Sequence, residues 1–465
     1  MKIYKIIAAL LSLLLFLCPA LHAATTADPA AETDEPAADD KIIPKDYVIP
    51  QDESVTIRSK YALVYSEYDD RFLYRKNDDQ TVWPASTTKI MVGVMIFEKF
   101  ADRLDTQITI TKKLLEDKEG LSVYLEEGEI LTMRQLLTIL LMHGANDVST
   151  ILAHYYMQDV ETEKNDLEAF ADLMTARAAE LGCTDTTFKN VTGLHKDGER
   201  TTMYDIIKIA VHAASIPGFT EMTSTDRLVI EKNGPTIHRV ILSRNHLVSS
   251  YQTPMYKTPG VTGMNYGSTE EMGECLLTSA EYDGKRYFSI IMGGRDDAET
   301  GKQTEFVDTI KLLEYVRTGF EYKDVLKKGV IVTQANVRFS TNTDAVTLAP
   351  EKTVSMYLPV GTDVQTEITF RSIVPETVLD APVAQGTVAG EVIVEYNGAE
   401  VCRVPLVTTT SVAQSRILYM LDRTENFVKR PVVIASLISF FVLAILYVLI
   451  KAFILGQKKK RRKIR

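Results

Sequence analysis

The sequence is poor in cysteine and tryptophan, with four cysteines and one tryptophan in 465 residues. Cys18 lies in an apolar run at the N-terminus, which leaves Cys183, Cys275 and Cys402, and three thiols cannot all pair within one chain. Their spacing fits no metal-binding motif. We therefore interpret these three cysteines as buried apolar residues, and we expect a fold that does not depend on disulfides or a metal.

A net positive charge is missing from the body of the chain. The formal net charge is −10, and it falls to −19 for residues 24–457 once Lys2, Lys5 and the seven basic residues of 458–465 are set aside. A protein this acidic is a poor candidate for binding nucleic acid, so no nucleic-acid partner is expected. A glycine-rich phosphate-binding loop is missing as well.

Two apolar runs mark the ends of the chain. The first, "MKIYKIIAALLSLLLFLCPALHAA", begins with basic residues and closes with small ones, which is typical of a signal peptide. The second, Pro431–Ile450, has 20 residues without a charge, enough to cross a bilayer. Because the basic "KKKRRKIR" follows it, this tail is expected in the cytoplasm. The sequence thus predicts a single-pass cell-membrane protein whose domains lie on the extracytoplasmic side.

Composition divides the chain between these runs. A stretch rich in alanine, proline and acidic residues predicts a disordered linker, and short alternating segments predict a small all-β domain that acts as a spacer or partner platform. The predicted organisation is a signal peptide (1–23), the linker (24–55), a main domain (56–320), the all-β domain (321–410), a juxtamembrane linker (411–430), a transmembrane helix (431–455) and a basic cytoplasmic tail (456–465).

The main domain alternates between strand-like and helical patterns. It opens with a β-hairpin in "YALVYSEYDDRFLYRKND", and a later hairpin turns at Asp283–Gly284. Further strands are predicted in "VILSRNHLV" and near Gly260–Tyr266. Apolar residues at three- and four-residue spacing predict helices over Ser86–Phe100, Met133–Met142, Asn146–Tyr156, Leu167–Leu181 and Met203–Ala214, with a last one near Gln303–Tyr315. This order favours the α+β class, with a helical block packed on an antiparallel sheet.

Ser86 and Lys89 stand three residues apart in "STTK", at the start of a predicted helix. Residues at this spacing share a helix face, so the hydroxyl and the amine can lie side by side. A serine needs an adjacent base to become a nucleophile. A lysine can be that base where burial or a nearby positive charge lowers its pKa. An ordinary helix start is the alternative, because such residues are common there.

Longer segments around this pair resemble one protein family. "PASTTKIM" resembles the active-site serine motif of the serine D-alanyl-D-alanine carboxypeptidases, the low-molecular-weight penicillin-binding proteins. The likeness continues through "LLTILLMHGANDVS", "AAELGCTDTTFKNVTGLHKDGERTTMYDI", "TPGVTGMNYGSTEEMGECLLTSA" and "APVAQGTVAGEVIVEYNGAEVCRVPLV". The resemblance implies a penicillin-binding/β-lactamase-like domain followed by the family's C-terminal β domain. It also implies that Ser86 is the nucleophile and Lys89 the general base.

The second motif of that family, Ser-x-Asn, is altered in this chain. It falls on Gly144, Ala145 and Asn146. The resemblance implies that Asn146 positions the substrate backbone and the lysine. The serine that normally helps to pass a proton is replaced by a glycine, and a water molecule could occupy the space.

The third motif, Lys-Thr-Gly, is altered as well. The family pattern that precedes it matches "PGVTGM", which puts the motif on Asn265, Tyr266 and Gly267 and excludes "KTPG" at 257–260. In the family this lysine and threonine hold the terminal carboxylate of the substrate. Asn265 carries no charge, which could cost roughly 1.5–3 kcal/mol of binding, and Tyr266 is expected to narrow the site. With the charge missing, Lys89 is expected to stay protonated more of the time.

The resemblance implies an oxyanion hole made of the backbone N–H groups of Ser86 and Ser268, which the altered side chains do not remove. The expected activity is a membrane-anchored D-Ala-D-Ala carboxypeptidase, slow or altered in specificity, that binds peptidoglycan stem peptides and β-lactams without a cofactor. One alternative is a non-catalytic peptidoglycan-binding or regulatory protein of the same fold, which Gly144 and Asn265 favour. The other is a β-lactamase, against which the membrane span and the β domain argue.

Overall fold

The structure, a computed structural model, describes residues 41–45, 47, 49, 55–116, 119–375 and 378–462, with the backbone alone over 453–462. The predicted signal peptide, residues 24–40 of the predicted linker and the last three residues of the basic tail lie outside the described residues. The α-helices are α1 Thr88–Phe100, α2 Met133–His143, α3 Asn146–Met157, α4 Asp166–Glu180, α5 Met203–Ser215, α6 Phe219–Thr223, α7 Thr304–Thr318, α8 Val364–Glu367, α9 Arg416–Val428 and α10 Pro431–Arg462. The strands are β1 Lys41–Ile42, β2 Tyr61–Ser66, β3 Arg71–Lys76, β4 Gln107–Thr109, β5 Ile130–Thr132, β6 Arg227–Ile230, β7 Arg239–Leu242, β8 Val261–Thr269, β9 Gly273–Tyr282, β10 Lys285–Gly294, β11 Phe320–Leu326, β12 Thr333–Arg338, β13 Ala345–Pro350, β14 Thr353–Pro359, β15 Ile368–Ile373, β16 Leu379–Asp380, β17 Val388–Tyr396 and β18 Ala399–Thr408.

A five-stranded antiparallel sheet organises the first domain, in the order β3-β2-β10-β9-β8. The hairpin of β9 and β10 turns at Asp283 and Gly284, whose φ angles of 51° and 73° suit the Asp-Gly pair. Helices α1 to α6 form the block inserted between β3 and β8, and α7 packs on β9 and β10. The predicted α+β architecture, with a helical block against an antiparallel sheet, is therefore confirmed.

Helix α1 lies at the centre of the helical block. It contacts α2, α3, α4 and α5, and every residue from Thr88 to Phe97 is buried. The buried apolar side chains of these helices form one core with the inner face of the sheet. The start of α1 is therefore held rigidly from several sides.

The predicted strand in "VILSRNHLV" is wrong in its second half. β7 ends at Leu242, and a turn follows because side chains there bond to the backbone. Ser243 Oγ accepts a hydrogen bond from the Asn245 N–H (3.2 Å), and Asn245 Oδ1 accepts one from the Leu247 N–H (3.0 Å). Such local bonds compete with strand pairing. The result is a loop directly after β7 that carries Arg244.

The second domain is built on a six-stranded sheet in the order β15-β17-β18-β13-β12-β16. It has its own apolar core, as predicted for an all-β domain. β11 and β14 pair with each other and pack on the first domain, where Tyr357 is buried in one cluster with Ile57 and Tyr74. These two strands therefore connect the two cores.

Two helices follow the β domain. α9 lies inside the segment 411–430 that the sequence analysis predicts to be a linker, and Ser415 caps it by accepting a hydrogen bond from the Leu418 N–H (3.4 Å). Residues Pro431–Ala452 of α10 have a mean hydropathy of 2.9, long and apolar enough to cross a membrane.

The three cysteines of the described chain are free thiols. Cys183 and Cys275 are buried, as expected, whereas Cys402 on β18 is half-exposed. The interpretation as buried apolar residues is therefore right for two of the three.

Candidate active site

Ser86 lies in a single 3-10 turn, Ala85–Thr87, that leads directly into α1. Ala85 has a φ of +48°, a left-handed conformation that costs a residue with a Cβ about 1–2 kcal/mol. Backbone strain of this kind is found where a functional side chain must be held in one direction. The Ser86 side chain is mostly buried at the floor of the site, with the residue 9% exposed.

Lys89 extends from the first turn of α1 toward Ser86. Its Nζ lies 3.4 Å from Ser86 Oγ and donates a hydrogen bond of 2.5 Å to the Thr192 carbonyl oxygen. The residue is only 1% exposed. Burial, with a smaller contribution from the positive charge of Arg244, lowers the pKa of Lys89 to about 7. Neutral amine and protonated amine are therefore both present near neutral pH.

Asn146 begins α3, beside the end of α2. Its Nδ2 donates to the Glu119 carbonyl oxygen (2.8 Å), and its own N–H donates to the Leu121 carbonyl oxygen (2.7 Å). The side chain is buried. The segment 119–121 therefore fixes the amide in place at the edge of the site.

Gly144 ends α2 in the left-handed conformation, with a φ of +77°. A Cβ at this position would lie 3.4 Å from the Tyr266 carbonyl oxygen. The altered second and third motifs therefore touch through their backbones, and there is room at 144 for a small side chain.

β8 forms the opposite wall of the site. A Cβ at Gly267 would collide with Ser86 Oγ, so only glycine lets the strand approach the serine this closely. On its other side β8 is an edge strand within the described part of the chain. Because Thr223 Oγ1 donates to the Thr262 carbonyl oxygen (2.6 Å), the part of this edge that is open to an extended ligand lies further along the strand.

Asn265 lies two residues before Gly267, on the same face of β8. The residue is 2% exposed, and both Oδ1 and Nδ2 are buried without a hydrogen-bond partner among the described residues. Buried polar atoms normally have partners, so this amide is positioned to bind something that enters the site.

Tyr266 does not narrow the cleft, and that expectation is wrong. Alternation along β8 directs its side chain to the face opposite Gly267. There its ring packs on Phe306 with centroids 5.2 Å apart, and its hydroxyl donates to Glu274 Oε2 (2.7 Å). The larger side chain is therefore accommodated outside the cleft.

Arg244 is the site residue that the sequence analysis missed. Its guanidinium carbon lies 5.1 Å from the centroid of the Tyr266 ring. Its backbone N–H donates to the Met142 carbonyl oxygen (3.2 Å). No carboxylate pairs with it among the residues that the structure describes. The expectation that Lys89 stays more protonated than in relatives remains a prediction, but it assumed that no cation lies near the amine, and Arg244 supplies one.

Lys257 is the other cation near the third motif, and it points elsewhere. It contacts Ser250 Oγ and lies 3.8 Å from Asp226, with a half-exposed side chain. The positive charge at the site therefore comes from the loop after β7. The serine and asparagine on either side of Arg244 in "SRN" are the sequence signal that could have indicated a turn there.

Within the described ranges, no group of three or more histidine, cysteine, aspartate or glutamate side chains could hold a metal ion. His195 contacts the ring of Trp83, with centroids 4.8 Å apart. The chemistry that the site can support is acyl transfer to Ser86, with a lysine as the base.

A serine and a lysine in Ser-x-x-Lys at a helix start, opposite an edge strand, are characteristic of the penicillin-binding proteins and β-lactamases. A family model described as D-alanyl-D-alanine carboxypeptidase matches residues 48–296, more than half of the chain. The chain belongs to the D-alanyl-D-alanine carboxypeptidase family, as the resemblance predicted. A second model, described as the penicillin-binding protein 5 C-terminal domain, matches residues 320–414.

Individual relatives have a low sequence identity to this chain, but the matches extend over most of its length. D-alanyl-D-alanine carboxypeptidase DacF of Bacillus subtilis is 24% identical over 376 residues, covering 79% of this chain and 89% of the relative. D-alanyl-D-alanine carboxypeptidase DacC of Escherichia coli is 24% identical over 374 residues, covering 78% and 86%. The crystal structure of the D-alanyl-D-alanine carboxypeptidase DacD from Francisella tularensis matches with a TM-score of 0.57 at 21% identity, covering 79% of this chain and 97% of that one.

Proposed function

We propose that this protein is an active serine D-Ala-D-Ala carboxypeptidase that trims peptidoglycan stem peptides through an acyl-enzyme on Ser86. The observation that carries the proposal is the buried Lys89 amine, 3.4 Å from Ser86 Oγ and with a pKa lowered to about 7. A general base is most effective when its pKa lies near the working pH. Burial of a lysine amine lowers the stability of a fold, so a buried lysine beside a serine indicates a function for the amine.

The reaction begins when neutral Lys89 takes the proton of Ser86 and Oγ attacks the carbonyl carbon of the peptide bond between the two D-alanines. The backbone N–H groups of Ser86 and Ser268 stabilise the oxyanion. The Lys89 ammonium then gives the proton to the amine of the departing D-alanine, which leaves an ester on Ser86. Water hydrolyses that ester and regenerates the enzyme.

Substrate binding uses four features of the cleft. The stem peptide pairs with the outer edge of β8, and Asn146 donates a hydrogen bond to its backbone. Arg244 holds the terminal carboxylate, with Asn265 contributing a neutral hydrogen bond. The charge that the third motif lacks at 265 is thus supplied from the loop after β7, and β-lactams would bind in the same way through their carboxylate.

We further propose that the domain organisation predicted from the sequence gives the membrane topology of the protein in the cell. Residues 431–455 span the membrane, and the basic residues after them remain in the cytoplasm. The main domain and the β domain then lie on the extracytoplasmic side, where peptidoglycan is.

A non-catalytic protein of the same fold is the second candidate. Two observations favour it: Gly144 has no side chain to pass a proton, and Asn265 has two buried polar atoms without partners among the residues that the structure describes. Such a protein would bind stem peptides without cleaving them.

Labelling with a fluorescent penicillin separates the two candidates. The full-length chain in detergent is expected to form a covalent adduct that survives denaturation, and Ser86→Ala is expected to form none. Release of D-alanine from a D-Ala-D-Ala stem peptide by the wild type alone would complete the assignment. A wild-type protein that binds the peptide yet takes up no label would establish the non-catalytic candidate.

A further inference from the structure

A buried carboxyl group lies beneath the loop that holds Lys89. Glu199 is 3% exposed, and its Oε1 accepts a hydrogen bond from Asn190 Nδ2 (3.2 Å). Its Oε2 is buried without a hydrogen-bond partner in the described part of the chain. Burial raises the pKa of Glu199 to about 7, against the lowering effect of bonds from Lys189 and Asn190 and of the Lys196 charge. A buried carboxyl group with one unpaired oxygen is unfavourable for folding, so its presence here requires an explanation.

Asn190 connects this carboxyl group to the loop. Its Oδ1 accepts hydrogen bonds from the N–H of Thr192 (2.9 Å), the Oγ1 of Thr192 (3.2 Å) and the N–H of Gly193 (2.6 Å). Its Nδ2 also donates to the Leu194 carbonyl oxygen (2.6 Å). One side chain therefore fixes the conformation of three consecutive residues.

Two of these residues lie against the catalytic pair. The Thr192 carbonyl oxygen accepts the 2.5 Å hydrogen bond from Lys89 Nζ. Gly193 lies so close to the backbone of Ala85 and Ser86 that a Cβ there would collide with the Ala85 carbonyl group. A small movement of this loop would therefore change the direction of the amine and the support of the serine together.

We propose that Glu199 is a positioning residue for Lys89, acting through Asn190 and the loop 190–194. The carboxyl oxygen orients the Asn190 amide, the amide sets the loop, and the Thr192 carbonyl oxygen aims the amine at Ser86 Oγ. The proposal rests on the proposed function, because it assigns Glu199 to the activation of Ser86.

The test compares penicillin acylation rates of full-length variants in detergent. Glu199→Ala and Asn190→Ala are each expected to lower the maximal acylation rate constant about 10- to 100-fold, the scale of a misplaced catalytic group, while the concentration giving half the maximal rate changes little. The double variant is expected to be no slower than Asn190→Ala, because that change already breaks the connection from Glu199 to the loop. Glu199→Gln keeps an acceptor oxygen for Asn190 and is expected to retain most of the rate.

Asp197→Ala is the matched control, since Asp197 lies two residues from Glu199 with a fully exposed side chain. Its rate is expected to equal that of the wild type. Wild-type rates in Glu199→Ala, or a loss in Glu199→Gln as large as in Glu199→Ala, would overturn the proposal.

Asn190→Asp carries the test if Glu199→Ala does not fold. It keeps the three bonds accepted at Oδ1 and removes the Nδ2 donor to Glu199 and to the Leu194 carbonyl oxygen. A proton shared between the two carboxyl groups restores that link in acid, so the ratio of its rate to the wild-type rate is expected to rise as pH falls. A ratio independent of pH would refute the connection.

Failure of the proposed function would be seen separately, as a wild type that takes up no penicillin. The positioning role is then read from crystal structures of the wild type and Glu199→Ala. The distance from Lys89 Nζ to the Thr192 carbonyl oxygen is expected to exceed 3.5 Å in the variant, beyond hydrogen-bonding range. An unchanged distance would overturn the role.

Discussion

At the scale of single residues, the charge of Arg244 adds to the effect of burial in lowering the pKa of Lys89. Arg244→Gln removes a repulsion, so the pKa of Lys89 is expected to rise above about 7. A rise of one unit would lower the neutral fraction of the amine at pH 7 from about one half to about one tenth. The midpoint of the pH dependence of Ser86 acylation, measured at saturating penicillin, should therefore move to higher pH.

Lys257→Gln provides the control for this change, because Lys257 has the same charge but contacts Ser250 outside the cleft. Its pH midpoint is expected to match the wild type. A midpoint that stays fixed in Arg244→Gln would mean that burial alone lowers the pKa of Lys89.

At the scale of secondary structure elements, the turn between α2 and α3 limits the second motif. Because Gly144 has a φ of +77°, Gly144→Ala and Gly144→Ser should each lower the free energy of unfolding by about 1 kcal/mol. Only the serine variant adds a hydroxyl that can pass a proton between Lys89 and the leaving group. Gly144→Ser is therefore expected to release D-alanine at least about tenfold faster than Gly144→Ala, and equal rates would show that the hydroxyl has no role here.

At the scale of the whole molecule, the two C-terminal helices follow the β domain, which α9 contacts through the rings of Tyr419 and Phe339 (centroids 5.5 Å apart). A chain that ends at Ser415 keeps the hydrogen bond from the Ser415 N–H to the Phe339 carbonyl oxygen (2.5 Å) and loses α9 and α10. It is expected in the soluble fraction after cell lysis, with the same penicillin acylation rate as the full chain. A truncated chain that stays with the membranes would show that another segment anchors it.

The elements that sequence pattern predicted are those determined by local chemistry. The start of α2 follows from Thr132 and Gln135, which exchange hydrogen bonds of 3.1 and 2.9 Å in a capping box, and its end follows from Gly144. α9 was not predicted, although its apolar residues Ile417, Met420 and Leu421 stand at helical spacing. The length and apolar character of α10 were sufficient to predict it from the sequence.

The candidate site was predictable only in part. Ser86 and Lys89 are neighbours because they stand three positions apart where the 3-10 turn leads into α1, and the sequence alone indicates that spacing. Other groups around Lys89 come from loops that are distant from it in the sequence: Arg244, Glu199 and the Thr192 carbonyl group. Their arrangement depends on tertiary packing, which no spacing rule contains. The side of β8 on which Tyr266 lies could be decided only once Gly267 was seen against Ser86.

The position of Arg244 on a loop has a consequence for inhibitor selectivity. A cation at position 265 of β8 would be fixed relative to the proposed oxyanion donor, the Ser268 N–H on the same strand. Arg244 instead packs on the Tyr266 ring and belongs to a different segment. Covalent probes whose anionic group is displaced toward the loop after β7 should therefore acylate this protein in preference to relatives with Lys-Thr-Gly. Libraries of such probes would offer a chemical means of marking it among the other penicillin targets of a living cell.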